Sequence, residues 1–236
     1  MRKGVLSVAL WSMVILTNAY FIYNFPFRHF NPESWNKPLG PLLTAHIVFG
    51  MVALLIGPLQ FFASIRKKNP RLHRRTGRMY LGAIAAGAIC AIILSIQHNI
   101  IMQKRIAFGT GTLGLAAAWL LTSAMALWAI KNRNFVQHRE WMVRSYVVTC
   151  GFTFYRILFL ITTSYISQGD KVYGNELSGI LAWSCWAIPL LITEALLQGI
   201  KIKKQAVVNK PAATAVLAKE ELIILNQTET VHQKST

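Results

Sequence analysis

The sequence predicts an all-α protein, a polytopic bundle of six transmembrane helices with both termini cytoplasmic. Composition is the first reason: 54% of the 236 residues are hydrophobic and only 14% charged, with a mean hydropathy of +0.41. Average globular domains are roughly a quarter charged. The second reason is one junction. RKKNPRLHRRTGR (Arg66–Arg78), more than half Lys or Arg, runs straight into Met79–Ile101, which has no charged residue. A soluble fold has nothing polar to turn outward from the second half; a bilayer takes it into hydrocarbon and leaves the cationic half at the phosphates. The third reason is that cations recur in short loops between apolar runs.

The first predicted span is Val5–Tyr23, after Met1-Arg2-Lys3. A secretory signal has a shorter apolar core and a small-x-small cleavage site. Thr17-Asn18-Ala19 matches that poorly and bulky aromatics follow, so a retained helix is expected. Asn24–Pro38, with three prolines and Trp35, suits an outer loop. The second span is Leu39–Ser64, with Pro58 expected to loosen its last turns. Asn69-Pro70 is a helix start, Asn as N-cap and Pro at the first position, so the third helix is expected over Pro70–Ile101. After the loop Met102–Ala107 comes the fourth span, Phe108–Ile130, where Gly111, Gly114, Ala117 and Ala118 permit close helix approach in lipid. A second basic turn, Lys131–Glu140, opens the fifth span, Trp141–Tyr165. The sixth is Leu177–Gly199, closed by Lys201, Lys203 and Lys204, and the tail beyond is polar. The expected organisation is thus 1–38 as a first helix and outer loop, 39–200 as a five-helix membrane bundle with its core in 39–165, and 201–236 as a cytoplasmic tail, mostly disordered.

Orientation follows from the loops. Arg2, Lys3, the Arg66–Arg78 turn, Lys131–Arg139 and Lys201–Lys204 fall on one side; Arg28, Lys37, Lys104, Arg105 and Lys171 fall on the other. The richer side is cytoplasmic. The formal charge of +17 therefore points to anionic lipid headgroups as partner and not to nucleic acid, because the cations are divided among loops and form no patch. Cys90, Cys150 and Cys185 all lie in apolar runs without a CxxC neighbour, which excludes a disulfide framework. HEXXH, GXSXG, P-loop and Rossmann patterns are absent, so hydrolytic and nucleotide-dependent chemistry has no support.

Two cytoplasmic turns resemble each other. His73-Arg74 precedes Gly77-Arg78-Met79-Tyr80, and His138-Arg139 precedes Trp141-Met142-Val143-Arg144-Ser145-Tyr146, each opening a helix that runs outward. This is the pattern of a duplicated helix hairpin. Together with HIVFGMVALLIGPLQF (His46–Phe61) and Arg156, these turns resemble the bacterial membrane proteins grouped as domain of unknown function 2306. The resemblance covers roughly His46–Arg156. It implies a multi-pass protein of the bacterial cytoplasmic membrane and implies no activity. Its signature positions here are His46, Gly57, Pro58, Gln60, His73, Arg74, Gly77, Arg78, Tyr80, His138, Trp141, Arg144, Tyr146 and Arg156; His98 is not among them.

Ionisable groups within a bilayer are costly and mark function. At about 1.5 Å per residue, His46 lies about 10 Å and Arg156 about 13 Å below the outer surface, and His98 is near the outer end of the third helix. These three are expected to share an outer-leaflet pocket. Two imidazoles on neighbouring helices can hold a b-type haem, with His46 and His98 as iron ligands and Arg156 on a propionate. His73 and His138 are a second candidate pair on the cytoplasmic side, although His73 and His98 are about 37 Å apart along one helix. A quinone beside Trp119 or Trp183 is a further redox possibility. The competing class is a structural or partner-binding subunit whose charges only fix topology, with His73 and His138 clamping the interface and Arg74, Arg75, Arg78, Arg139 and Arg144 meeting lipid phosphate.

Overall fold

The computed structural model describes residues 32–165 and 171–233, and every regular element among them is helical. Five stretches are long and apolar enough to cross a membrane: Gly40–Gln60, Pro70–Met102, Ile106–Lys131, Phe135–Thr162 and Gly174–Val207. They match the second to sixth predicted spans. The first predicted span, Val5–Tyr23, lies outside the described residues.

A short helix, α1 (Pro32–Trp35), precedes α2 (Gly40–Ile56), which passes into a 3₁₀ turn over Gly57–Gln60. The change falls at the expected proline. Pro58 has no N–H to give the Leu54 carbonyl, and that carbonyl instead accepts a long bond, 3.4 Å, from the Tyr146 hydroxyl. After α3 (Ala63–Lys68), α4 (Pro70–Ile93) starts as expected, with the Asn69 side chain accepting from the Leu72 N–H at 3.2 Å. The helix then changes winding: Leu94–Met102 is a π-helical segment. The sequence carries no mark of it, since an apolar run reads alike in either winding.

Ile106–Lys131 forms α5, and α6 (Phe135–Thr149) follows, capped by Asn134, which accepts from the Gln137 N–H at 3.1 Å. The expected single fifth span is two helices, α6 and α7 (Gly151–Tyr165). The Thr149 hydroxyl returns to the Ser145 carbonyl at 2.8 Å, a bond that bends helices. Gly151 follows, where a Cβ would come within 3.1 Å of Leu115. The last helix, α8, runs Lys171–Gln233. It includes the expected sixth span and continues through the stretch whose composition suggests disorder. Extending an existing helix avoids the cost of nucleating one, so a tail rich in Ala, Lys, Glu and Leu remains helical.

The chain divides into two compact units at Leu191. The second is helical over its described residues. The first holds a core of Ala53, Tyr80, Ile84, Ala88, Trp119, Ala126 and Val148. Its packing depends on small residues, as expected for the fourth span: a Cβ on Gly111 would stand 2.8 Å from Ala182, and one on Gly179 2.5 Å from Ala107.

Candidate functional site

The expected outer-leaflet pocket separates into two places. The His46 Nδ1–H donates to the Gly87 carbonyl on α4 at 2.9 Å, so the imidazole ties α2 to α4. Beside it, Trp35, Pro41, Ala45, Val48 and Phe49 line an apolar hollow. Thr44, also on its wall, gives its hydroxyl to the Gly40 carbonyl at 3.0 Å. The hollow offers nothing to an anion. His98 sits in the π segment with Nδ1 3.3 Å from Asn99 Oδ1. Gly87 precedes His98 by about three helical turns, roughly 16 Å.

Arg156 belongs to another group. Its guanidinium carbon lies 5.0 Å above the Phe152 ring, and it acts electrostatically on Tyr155, as does Arg105. Among the described residues no hydrogen bond or ion pair joins Arg156 to His46. Around Tyr155 stand Phe108, with ring centroids 5.9 Å apart, and Phe159, at 6.1 Å. Arg105 covers the Phe108 face at 4.6 Å, and its Nη2 donates to the Ser178 hydroxyl at 2.9 Å. That hydroxyl donates in turn to the Asn175 carbonyl at 2.8 Å. The Arg105 Nε is buried with no acceptor among the described residues. A guanidinium offers five N–H donors, and here a neutral hydroxyl and an aromatic face are its partners. The loop before α5 delivers Arg105 to this place, and Gly179 lets α8 approach closely enough to bring Ser178. Charge counting treats Arg105 as one more loop cation; its spacing of three from Phe108, at a helix start, was the available signal.

At mid-depth lies a hydroxyl network of which the sequence marked only Tyr80 and Trp119. The Tyr80 hydroxyl is 2.9 Å from Ser145 Oγ and 3.0 Å from Thr149 Oγ1. Ser123 Oγ meets Ser145 Oγ at 2.9 Å, and the Trp119 Nε1–H donates to Thr149 at 2.8 Å. Every member is buried, and the network joins α4, α5 and α6. Trp119 thus has a polar partner within the bundle.

At the end of the bundle that carries the cationic turns, Gln60 in the 3₁₀ turn is buried and donates to Thr76 Oγ1 at 2.8 Å. The His138 Nδ1–H donates to the Ala126 carbonyl at 2.8 Å. His73 has a buried Nδ1 without a partner among the described residues, and its ring lies within electrostatic reach of His138, Arg66 and Arg74. The arginines expected at lipid phosphate divide. Arg74, Arg75, Arg78 and Arg139 are exposed. Arg144 is only 6% exposed; it stands 3.8 Å from Glu140 and 4.6 Å over Trp141. Its side chain is thus enclosed by protein groups. Among the described residues no three His, Cys, Asp or Glu side chains gather as a metal donor set.

A family model described as a predicted membrane protein (DUF2306) matches residues 43–197, well over half of the chain. No curated protein and no solved structure matches it.

Proposed function

We propose that this chain, which belongs to the DUF2306 family of predicted membrane proteins, is a membrane-embedded binding module that seats an oxyanion in its non-cytoplasmic half. The observation that carries this reading is Arg105: a partly buried guanidinium held by Ser178 and Phe108, with Nε–H unbonded among the described residues. Arg156, which also acts electrostatically on Tyr155, adds a second positive charge nearby. A phosphate or carboxylate at Arg105 gains charge-assisted hydrogen bonds, which are stronger in a poorly hydrated site than in water. Such a group reaches the site either on a phospholipid headgroup or as a free solute.

The redox reading draws less support. The His46 Nδ1 is committed to a carbonyl roughly 16 Å along α4 from His98, which does not favour one iron between the two rings. Trp119, the candidate quinone platform, is buried and hydrogen-bonded to Thr149.

The test is native mass spectrometry of the detergent-purified protein titrated with phosphatidylglycerol, phosphatidylcholine or inorganic phosphate. Wild type is expected to keep one anionic ligand that Arg105→Gln loses. A charged hydrogen bond is worth about 1.5–3 kcal/mol, so the affinity falls roughly ten- to a hundredfold. Arg74→Gln, at the opposite end, leaves that ligand in place. Retention of phosphatidylglycerol alone identifies a lipid seat, and retention of phosphate a solute site. Equal binding by wild type and Arg105→Gln contradicts the proposal.

A further inference from the structure

The repeated turns place two imidazoles at equivalent positions near the starts of α4 and α6, within electrostatic reach of each other. Helices α4 and α6 each begin at an asparagine cap, Asn69 and Asn134, and the histidine follows each cap at the same interval, His73 and His138. One heptad further along, the helices are joined: Tyr80 meets Ser145 at 2.9 Å, and each lies the same distance beyond its histidine. Two helices running the same way and meeting at Tyr80 and Ser145 face each other again two turns earlier. That His138 lies within electrostatic reach of His73 agrees with that register.

His138 donates Nδ1–H to Ala126, and the Nδ1 of His73 is buried. The charges acting on His73 are those of Arg66 on α3, Arg74 on its own helix and His138 across the interface when protonated. On α6, Glu140 is paired with Arg144 and Arg139 is exposed. One turn beyond His73, the Thr76 hydroxyl bonds the Leu72 and His73 carbonyls at 2.9 and 3.2 Å and accepts from Gln60. A shift at His73 therefore reaches the clamp on the 3₁₀ turn.

We propose that His73 and His138 form a proton-sensitive latch between the cytoplasmic ends of α4 and α6, closed while both rings are neutral and loosened when acidification charges them. Protonation sets a cation among like charges, and the helix ends relieve the repulsion by separating and admitting water. Histidine is the side chain whose ordinary titration, near about 6.5, falls within the cytoplasmic range.

Amide hydrogen exchange of the full-length protein in detergent, at pH 7.5 and 5.5 and corrected for intrinsic rates, reads the latch directly. Protection of 70–76 and 135–142 is expected to fall at least about fivefold at the lower pH, with 109–115 on α5 unchanged. The His73→Gln/His138→Gln protein holds the same protection at both pH values, and His138→Gln alone keeps a reduced response. Equal wild-type protection at the two pH values overturns the latch whatever the variants do. So does a response that persists in full in the double variant.

Discussion

A Gly57→Val protein is expected to unfold roughly 6–12 °C below wild type, the shift that about 3 kcal/mol produces in a chain of this size. Any Cβ at Gly57 runs into the Tyr146 ring and comes within 3.2 Å of Tyr80. Tyr146 has little room to yield. It is 6% exposed, its hydroxyl is on the Leu54 carbonyl, and Phe61 packs at 5.7 Å between ring centroids. Replacing glycine within a helix gains at most about 1 kcal/mol from propensity, so the overlap dominates. Gly82→Ala is the control. A Cβ there meets nothing within 4 Å, and its melting temperature should equal or slightly exceed that of wild type. Thermal unfolding in one detergent decides both. A Gly57→Val protein as stable as wild type would show that the turn does not pack on Tyr146.

Tyr80→Phe is expected to cost about 1–2 kcal/mol in the same measurement. The ring stays in a site with no exposed surface, and the hydroxyl that binds Ser145 and Thr149 is lost. The cost stays moderate because Ser145 keeps Ser123 and Thr149 keeps Trp119. Sharing of Thr149 makes Trp119→Phe non-additive with Tyr80→Phe, as expected for residues in one network. Strict additivity of the two would mean that the hydroxyls act separately.

The parts of this fold that depend on local chemistry were legible in the sequence. Asn69-Pro70 starts a helix because a side-chain acceptor and a missing N–H suit a first turn. Pro58 loosens α2 because it withholds one backbone donor. Gly111 permits contact because it has no side chain. The parts that depend on what a helix meets were not legible. His46 looked like a ligand because an imidazole in an apolar run is costly, yet its partner is the Gly87 carbonyl, a group present at every residue and therefore invisible in a pattern. Arg105 looked like topology because a loop cation needs no other explanation; Ser178, which holds it, lies far along the chain. Ser123, Ser145 and Thr149 drew no notice, since small hydroxyl residues in membrane helices usually satisfy themselves on their own backbone. The resemblance named many of the residues at the joints, Gly57, Gln60, Gly77, Tyr80 and Tyr146, without saying what each one touches.

The central claim is that one bundle carries its cationic turns inward and the Arg105–Tyr155–Arg156 cluster outward. Single cysteines in place of Gln103 and Gln137, both exposed and at opposite ends of α5 and its flanking turns, test it in intact spheroplasts with a membrane-impermeant maleimide. Cysteine at 103 should be labelled at once, and cysteine at 137 only after the membrane is opened. Labelling of 137 with protection of 103 would put the arginine cluster in the cytoplasm and contradict the account.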